Sequence, residues 1–366
     1  MAEDFFAAIM AGGGGTRLWP LSRRDRPKQM LQIFGNETLF DVSVKRLQPL
    51  MDFDRIFVVT VEDQAKILSD QVPSLPADNF ILEPCPRGTA SVVGLAAIKL
   101  RKVNQDCVIA ILTADHFIAD KENFQELLRA ARELALAGDL VTLGVTPRYP
   151  DTGYGYIHRG ERRGVFNGFE AFRVEAFKEK PDVGLAEEYV DSGEYSWNSG
   201  MFVWKAESIL AEIERQMPEL FRGLEEIDRV LGTADEAETT ERVWCQLESQ
   251  TVDFGIMEGA RNVSVIPADD LGWCDVGGWA RMFEVKDQDE HGNVILAENC
   301  LTVDARNTLI YKDESAEAQR LIVALGTDAL IVVDMGDVLL VCPKDRSEDV
   351  RKIVRMLEEK GMDRYL

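Results

Sequence analysis

The sequence predicts an α/β protein, with βαβ units in the first 145 residues, further strands joining the same sheet, and a small all-β unit closed by a helix. Three observations carry this. Short apolar, β-branched runs alternate with longer helical patterns, four consecutive glycines follow the first run, and the texture changes after about residue 290. In order, the strand candidates are residues 5–10, 55–61, 80–82, 107–112 and 140–145. Between them, Phe40, Val44 and Leu47 fall at i, i+4 and i+7, and 89–102 is rich in Ala, Val and Leu, as crossover helices are. The Gly- and aromatic-rich segments 154–157 and 201–204 read as strands added to the sheet, and 206–250 as helices. Short strands at 301–303, 321–325, 329–333 and 338–341 are spaced like a small β unit, and a helix over 347–360 closes the chain. This change of pattern sets the expected domains at 1–285 and 286–366.

The 366 residues carry 41 Lys plus Arg against 64 Asp plus Glu, a formal net charge of −23. Such a balance argues against binding nucleic acid or an anionic membrane through bulk charge, so any anionic ligand must meet a local basic patch. Six scattered cysteines with no C-x-x-C pair indicate neither a zinc module nor a disulfide framework. No run approaches the ~18 apolar residues of a spanning helix, and Met1-Ala2-Glu3-Asp4 is acidic where a secretory leader is basic. A soluble, cytoplasmic protein is expected, with no nucleic-acid or membrane partner.

Directly after the first strand stands Ala11-Gly12-Gly13-Gly14-Gly15-Thr16-Arg17-Leu18-Trp19-Pro20. Glycines there let backbone N–H groups approach a phosphate. The loop is not a P-loop, because Thr16-Arg17 stand where Lys and a hydroxyl are needed, and G-x-G-x-x-G fails at Leu18 or Arg17. Arg17, Arg23, Arg24, Arg26 and Lys28 set five cations against Asp25, a local reversal of the chain's sign suited to a triphosphate. For Arg23, Arg24 and Arg26 a solvated basic face is the competing reading. Asp115 follows a buried-type strand at its carboxyl end, where open α/β sheets collect ligands. Asp275, among Gly272, Trp273, Gly277 and Trp279, is a second acid; two carboxylates plus phosphate oxygens suit Mg²⁺. Three histidines and the lack of a G-x-S-x-G elbow leave nucleophilic hydrolysis little support.

These residues, with Pro27-Lys28-Gln29, Glu83-Pro84, Arg87-Gly88-Thr89, Gly153-Tyr154-Gly155-Tyr156, Glu179-Lys180-Pro181, Trp197-Asn198-Ser199-Gly200, Asp253-Phe254-Gly255 and Trp273-Cys274-Asp275-Val276-Gly277, occur in an order that resembles the mannose-1-phosphate guanylyltransferases among the sugar-1-phosphate nucleotidyltransferases. The resemblance implies a Rossmann-like mixed-sheet nucleotidyltransferase core and a small C-terminal β domain, short and left-handed β-helix-like, that helps pair subunits into a homodimer. It implies that Ala11, Gly12, Gly13, Gly14, Gly15 and Thr16 wrap the GTP phosphates. Arg17 and Lys28 would neutralise the triphosphate, and Glu83, Pro86, Gly88 and Thr89 would lie by the guanine. Gly153, Glu179, Lys180 and Asn198 would hold the hexose and its phosphate, while Asp115 and Asp275 would share Mg²⁺, replaceable by Mn²⁺ or Co²⁺. Two departures are visible: Phe254 stands where many relatives carry Tyr, and Gly14 where Ser is frequent.

The implied reaction is attack by mannose 1-phosphate on the α-phosphorus of GTP, expelling pyrophosphate. The alternatives are transfer to another hexose 1-phosphate or from another nucleotide, and a non-catalytic homologue that binds nucleotide-sugar and regulates a partner.

Overall fold

The computed structural model describes residues 3–13, 15–313 and 320–366. Among them, nine strands form one mixed sheet: β1 (Phe5–Met10), β2 (Ile56–Thr60), β3 (Phe80–Leu82), β4 (Val108–Thr113), β5 (Leu140–Val145), β6 (Gly155–Phe166), β7 (Phe169–Glu179), β8 (Tyr195–Lys205) and β9 (Val263–Pro267), in the order β3-β2-β1-β4-β8-β5-β9-β7-β6. The expected early strands are present within two residues of their predicted bounds. β1, β2, β3 and β4 are parallel, and β8 runs antiparallel to both β4 and β5. β1 and β4 are buried on both faces apart from their last residues, which is why they read as unbroken apolar runs.

The expected crossover helices are α1 (Leu39–Lys45) and, after α2 (Glu62–Gln71), α3 (Thr89–Val103). α2, α4 (Lys121–Leu136), capped by Asp120 accepting from the Asn123 N–H, and α5 (Val183–Ser192) are not among the expected helices. Residues 206–250 supply α6 (Ala206–Gln216), α7 (Pro218–Val230) and α8 (Glu236–Trp244), as expected. Their apolar faces pack with α3 into one core that includes Trp204 and Trp244, so Trp204 is a core residue.

The C-terminal strands form two short sheets. β10 (Val294–Leu296), β12 (Leu309–Lys312), β14 (Leu330–Asp334) and β15 (Leu339–Pro343) make one; β11 (Cys300–Val303) and β13 (Ile322–Leu325) make the other. Parallel pairing of β10 with β12, β12 with β14 and β11 with β13 stacks successive rungs, the geometry of a short β-helix. α9 (Val252–Gly255), α10 (Met282–Val285) and the terminal α11 (Val350–Glu359) complete the helices used below.

By density of internal contacts the chain forms two compact units. One comprises residues 1–12, 41–114 and 118–273; the other comprises 13–40, 115–117 and 274–366. The second therefore holds most of the glycine loop together with the C-terminal strands. Its core joins Leu18, Trp19 and Leu31 to Val276, Trp279, Val294, Ile331 and Val350. No helix among the described residues is long and apolar enough to cross a membrane.

Candidate active site

β1 delivers the glycine loop. The Ala11 N–H donates to Val59 O at 2.9 Å, and Thr60 Oγ1 donates to Ala11 O at 2.8 Å, fixing the backbone to the point where glycine begins. Gly12, Gly13 and Thr16 are exposed, and Gly14 lies outside the described residues. Gly15 has φ 60°, and a Cβ there would sit 2.4 Å from Lys28 Cβ. Glycine is thus required twice over, for the left-handed backbone and for the close passage of Lys28.

Lys28 is buried, and its ammonium joins two aspartates: Nζ donates to Asp115 Oδ2 at 2.7 Å and to the Asp275 carbonyl at 2.6 Å. Burial alone would raise the Asp115 pKa, but the Lys28 and His116 charges outweigh it and hold the carboxyl below its ordinary value. The Asp275 carboxylate accepts from the Gly277 N–H at 3.1 Å, with Arg281 Nε 3.6 Å away. A Cβ on Gly277 would lie 2.3 Å from Asp275 Oδ2 and 3.2 Å from Arg17 Nη2, so this glycine leaves room for the guanidinium beside the carboxylate. Burial, with the Asp275 charge adding, pushes the neighbouring Cys274 thiol up to about 12.

In the other unit, the Glu83 N–H donates to Thr60 O at 2.9 Å, placing its side chain just beyond β3. Glu83 is 6% exposed, its Oε2 has no hydrogen-bond partner among the described residues, and a Cβ on Gly12 would stand 3.8 Å from Oε1. Burial raises its pKa to about 7, against the lowering effect of the Arg87 backbone N–H. The segment after it is held from residues 250–252: Ala90 N–H donates to Gln250 O, Val252 N–H donates to Thr89 Oγ1, and a Cβ on Gly88 would lie 2.3 Å from Gln250 O. Pro86 is exposed.

A third group gathers where β6, β7 and β8 pair. Gly155 faces Glu179 in register, and a Cβ there would lie 2.1 Å from Glu179 Oε2. That Oε2 is buried without a partner among the described residues, while Oε1 accepts from the exposed Lys180 Nζ at 2.6 Å. Asn198 is pinned at both ends: Nδ2 donates to Asp253 Oδ1 at 2.7 Å, and Oδ1 accepts from the Gly200 N–H at 3.0 Å. Burial, reinforced by the Glu179 charge, raises the Asp253 pKa. An array of carboxylates and a fixed amide with one orphaned buried oxygen suits a polyol. Gly153 sits apart from the Gly155 contact, in a turn where its N–H donates to Asp151 Oδ1 at 2.7 Å.

The nucleotidyl transferase family model matches residues 6–292, and the MannoseP isomerase/GMP-like beta-helix domain matches 298–357. Mannose-1-phosphate guanylyltransferase from Salmonella montevideo is 37% identical over 96% of this chain and 73% of its own length. The chain belongs to the mannose-1-phosphate guanylyltransferase family. The Klebsiella pneumoniae protein of the same name is 35% identical over 98% of this chain and 74% of its own length. A crystal structure described as mannose-1-phosphate geranyltransferase from Thermus thermophilus matches with a TM-score of 0.85 at 36% identity, covering 97% of this chain and 99% of that one.

For this guanylyltransferase chain, Arg17, Lys28, Asp115 and Asp275 fall in one unit, and Glu83, Gly88, Thr89, Glu179, Lys180 and Asn198 in the other. Four residues that the geometry singles out have no role among the sequence-based expectations: Gly155, Asp253, Gly277 and Glu348. Gly155, Asp253 and Gly277 lie inside the motifs quoted above, so a signal was present. Glu348 reaches Arg17 across 331 positions and had none.

Proposed function

We propose that the chain transfers GMP from GTP to α-D-mannose 1-phosphate, giving GDP-mannose and pyrophosphate by in-line displacement at the α-phosphorus without a covalent intermediate. The observation that carries this reading is the buried Lys28 ammonium tied to both Asp115 and Asp275 beside the glycine loop. The loop amides and Arg17 would bind the triphosphate, with Arg17 nearer the departing pyrophosphate and Lys28 nearer the reacting phosphorus. Both reactants are anionic and the sugar phosphate is already ionised at neutral pH, so alignment and charge stabilisation suffice and no strong base is required. Glu83, accepting from the donor edge of guanine, would find there the partner its Oε2 lacks. Glu179 and Asn198 would hydrogen-bond hexose hydroxyls, Gly153 would let the sugar approach, and Lys180 would hold its phosphate.

Asp115 and Asp275 would together offer carboxylate oxygens to a hard divalent cation such as Mg²⁺, with Mn²⁺ or Co²⁺ as substitutes. When bound, such a cation polarises phosphate oxygens and shields their charge. The family matches support reading residues 1–285 as the transfer domain and 286–366 as the β domain. Exposed apolar side chains on β11 and β13, Leu301, Val303, Val323 and Leu325, support pairing of two copies through that domain. Six free cysteines suit a reducing compartment, and we place the enzyme in the cytoplasm.

The test is pyrophosphate release with GTP, mannose 1-phosphate and Mg²⁺ by the wild type, Lys28→Ala and Asp115→Ala. Loss of at least about 10³-fold in either variant, with unchanged circular dichroism, is expected for removal of a charge from the reacting centre. Near-normal rates would take that residue out of the mechanism, and activity surviving excess chelator would remove the metal.

A further inference from the structure

The basic cluster that follows the glycine loop is only partly absorbed by the transfer chemistry, and the structure accounts for more of it. Arg23 forms a two-pronged pair with Asp337, at 2.7 and 2.9 Å, and Arg24 donates to both Glu358 and Asp363. Trp19 Nε1 donates to the Tyr365 carbonyl at 2.6 Å, and Trp279 Nε1 donates to the Trp19 carbonyl at 2.9 Å. These bonds, none local in sequence, tie residues 19–24 to the C-terminal part of the chain, α11 and the chain end included. Arg17 itself donates from Nη1 to both oxygens of Glu348, at 3.1 and 3.4 Å.

The place of that last contact matters. Gly277 and Gly278 form a floor without side chains: a Cβ on Gly278 would lie 3.4 Å from Glu348 Oε1 and 3.7 Å from Arg17 Cβ, while Gly277 stands between Arg17 Nη2 and Asp275. Glu348 thus grips Nη1 of the guanidinium, and Nη2 lies on the side where Gly277 carries no side chain. The Arg17 and Glu348 side chains are 41% and 56% exposed, so the pair adds little to stability, and a rotamer-rich arginine would otherwise wander.

We propose that Glu348, in the C-terminal β domain, is a positioning residue for nucleotidyl transfer: it holds the Arg17 guanidinium across Gly277-Gly278, preset for the charge that develops on the leaving pyrophosphate. The C-terminal domain then has a part in the chemistry of each chain, apart from any role in pairing copies. This inference rests on the transfer reading above.

The experiment measures kcat and KM for GTP in the wild type, Glu348→Ala, Glu348→Gln, Arg17→Ala and the Arg17→Ala/Glu348→Ala double variant. Glu348→Ala should lower kcat about tenfold with KM for GTP changed less than about twofold, because orientation is lost while charge on Arg17 remains. Glu348→Gln keeps a carbonyl oxygen for Nη1 and should recover most of kcat. In the Arg17→Ala background, Glu348→Ala should change kcat by less than about twofold. An unchanged kcat in Glu348→Ala, no recovery in Glu348→Gln, or an equal loss in the Arg17→Ala background would each overturn the positioning role while leaving the transfer reading intact. A wild type that releases no pyrophosphate from any nucleotide and sugar phosphate would overturn both.

Discussion

At the residue scale, burial without a partner for Oε2 governs Glu83. Its folded pKa of about 7, against 4.5 in an ordinary glutamate, means that the fold favours the protonated form. The resulting stabilisation is complete below pH 4.5 and is lost as pH rises through about 7, a span worth roughly 3 kcal/mol at most. Glu83→Gln should therefore melt near the wild type at pH 5 and clearly above it at pH 8 in the absence of nucleotide. Equal differences at the two pH values would show that the carboxyl does not titrate there. The sequence places Arg17, Lys28 and Asp115 in the candidate site because a glycine run after a first strand and an acid at a strand end mark a ligand edge with local signals. It does not place Asp253 and Glu348 there, since each matters through a partner 55 or 331 positions away. A carboxylate gives no sign in sequence of which distant amide or guanidinium it will meet.

At the element scale, the placement of Asn198 depends on an irregularity in β8. Thr142 pairs with Phe202 and Gly144 with Asn198, so two extra residues accumulate in β8 between these pairs. Ser199 Oγ donates to Leu143 O at 2.6 Å and accepts from the Met201 N–H, and Gly200 takes φ 68°. The bulge thereby turns Asn198 toward Asp253. Opposite it, a Cβ on Gly144 would lie 2.6 Å from both Ser196 Cβ and Val265 Cγ2. Gly144→Ala should cost about 1–3 kcal/mol, the usual range for overpacking, and weaken binding of mannose 1-phosphate more than of GTP. An unaltered melting temperature with unaltered KM values would contradict this account of the strand. Central strands were easy to read because both of their faces are buried. The long hairpin of β6 and β7 was read only at its first residues, since much of it is half exposed and its alternation weak. Its two-residue turn, Asn167-Gly168 with φ 43° and 85°, is a strong hairpin signal that went unused. β9 has no counterpart among the expected strands because Ser264 and Pro267 break its apolar run.

At the scale of the whole molecule, the net charge is −23, and against it the segment 17–28 gathers five cations. The division of the chain by compactness could not be read from sequence texture, because residues 13–40 leave the first sheet and pack with strands that begin some 250 positions later. Pairing of copies belongs at this scale as well. Leu301 and Val303 on β11 lie level with Val323 and Leu325 on β13, each more than half exposed, and together they make one apolar face. Val323→Glu/Leu325→Glu should convert a dimer into a folded monomer by light scattering, and an unchanged mass would place the interface elsewhere. The central claim, transfer of GMP to mannose 1-phosphate, is tested most directly by pyrophosphate release from purified protein with Mg²⁺, supplied with GTP, ATP, UTP or dTTP and with mannose or glucose 1-phosphate. Release fastest with GTP and mannose 1-phosphate is the expected result; release fastest with another pair, or none from folded, nucleotide-binding protein, would contradict it.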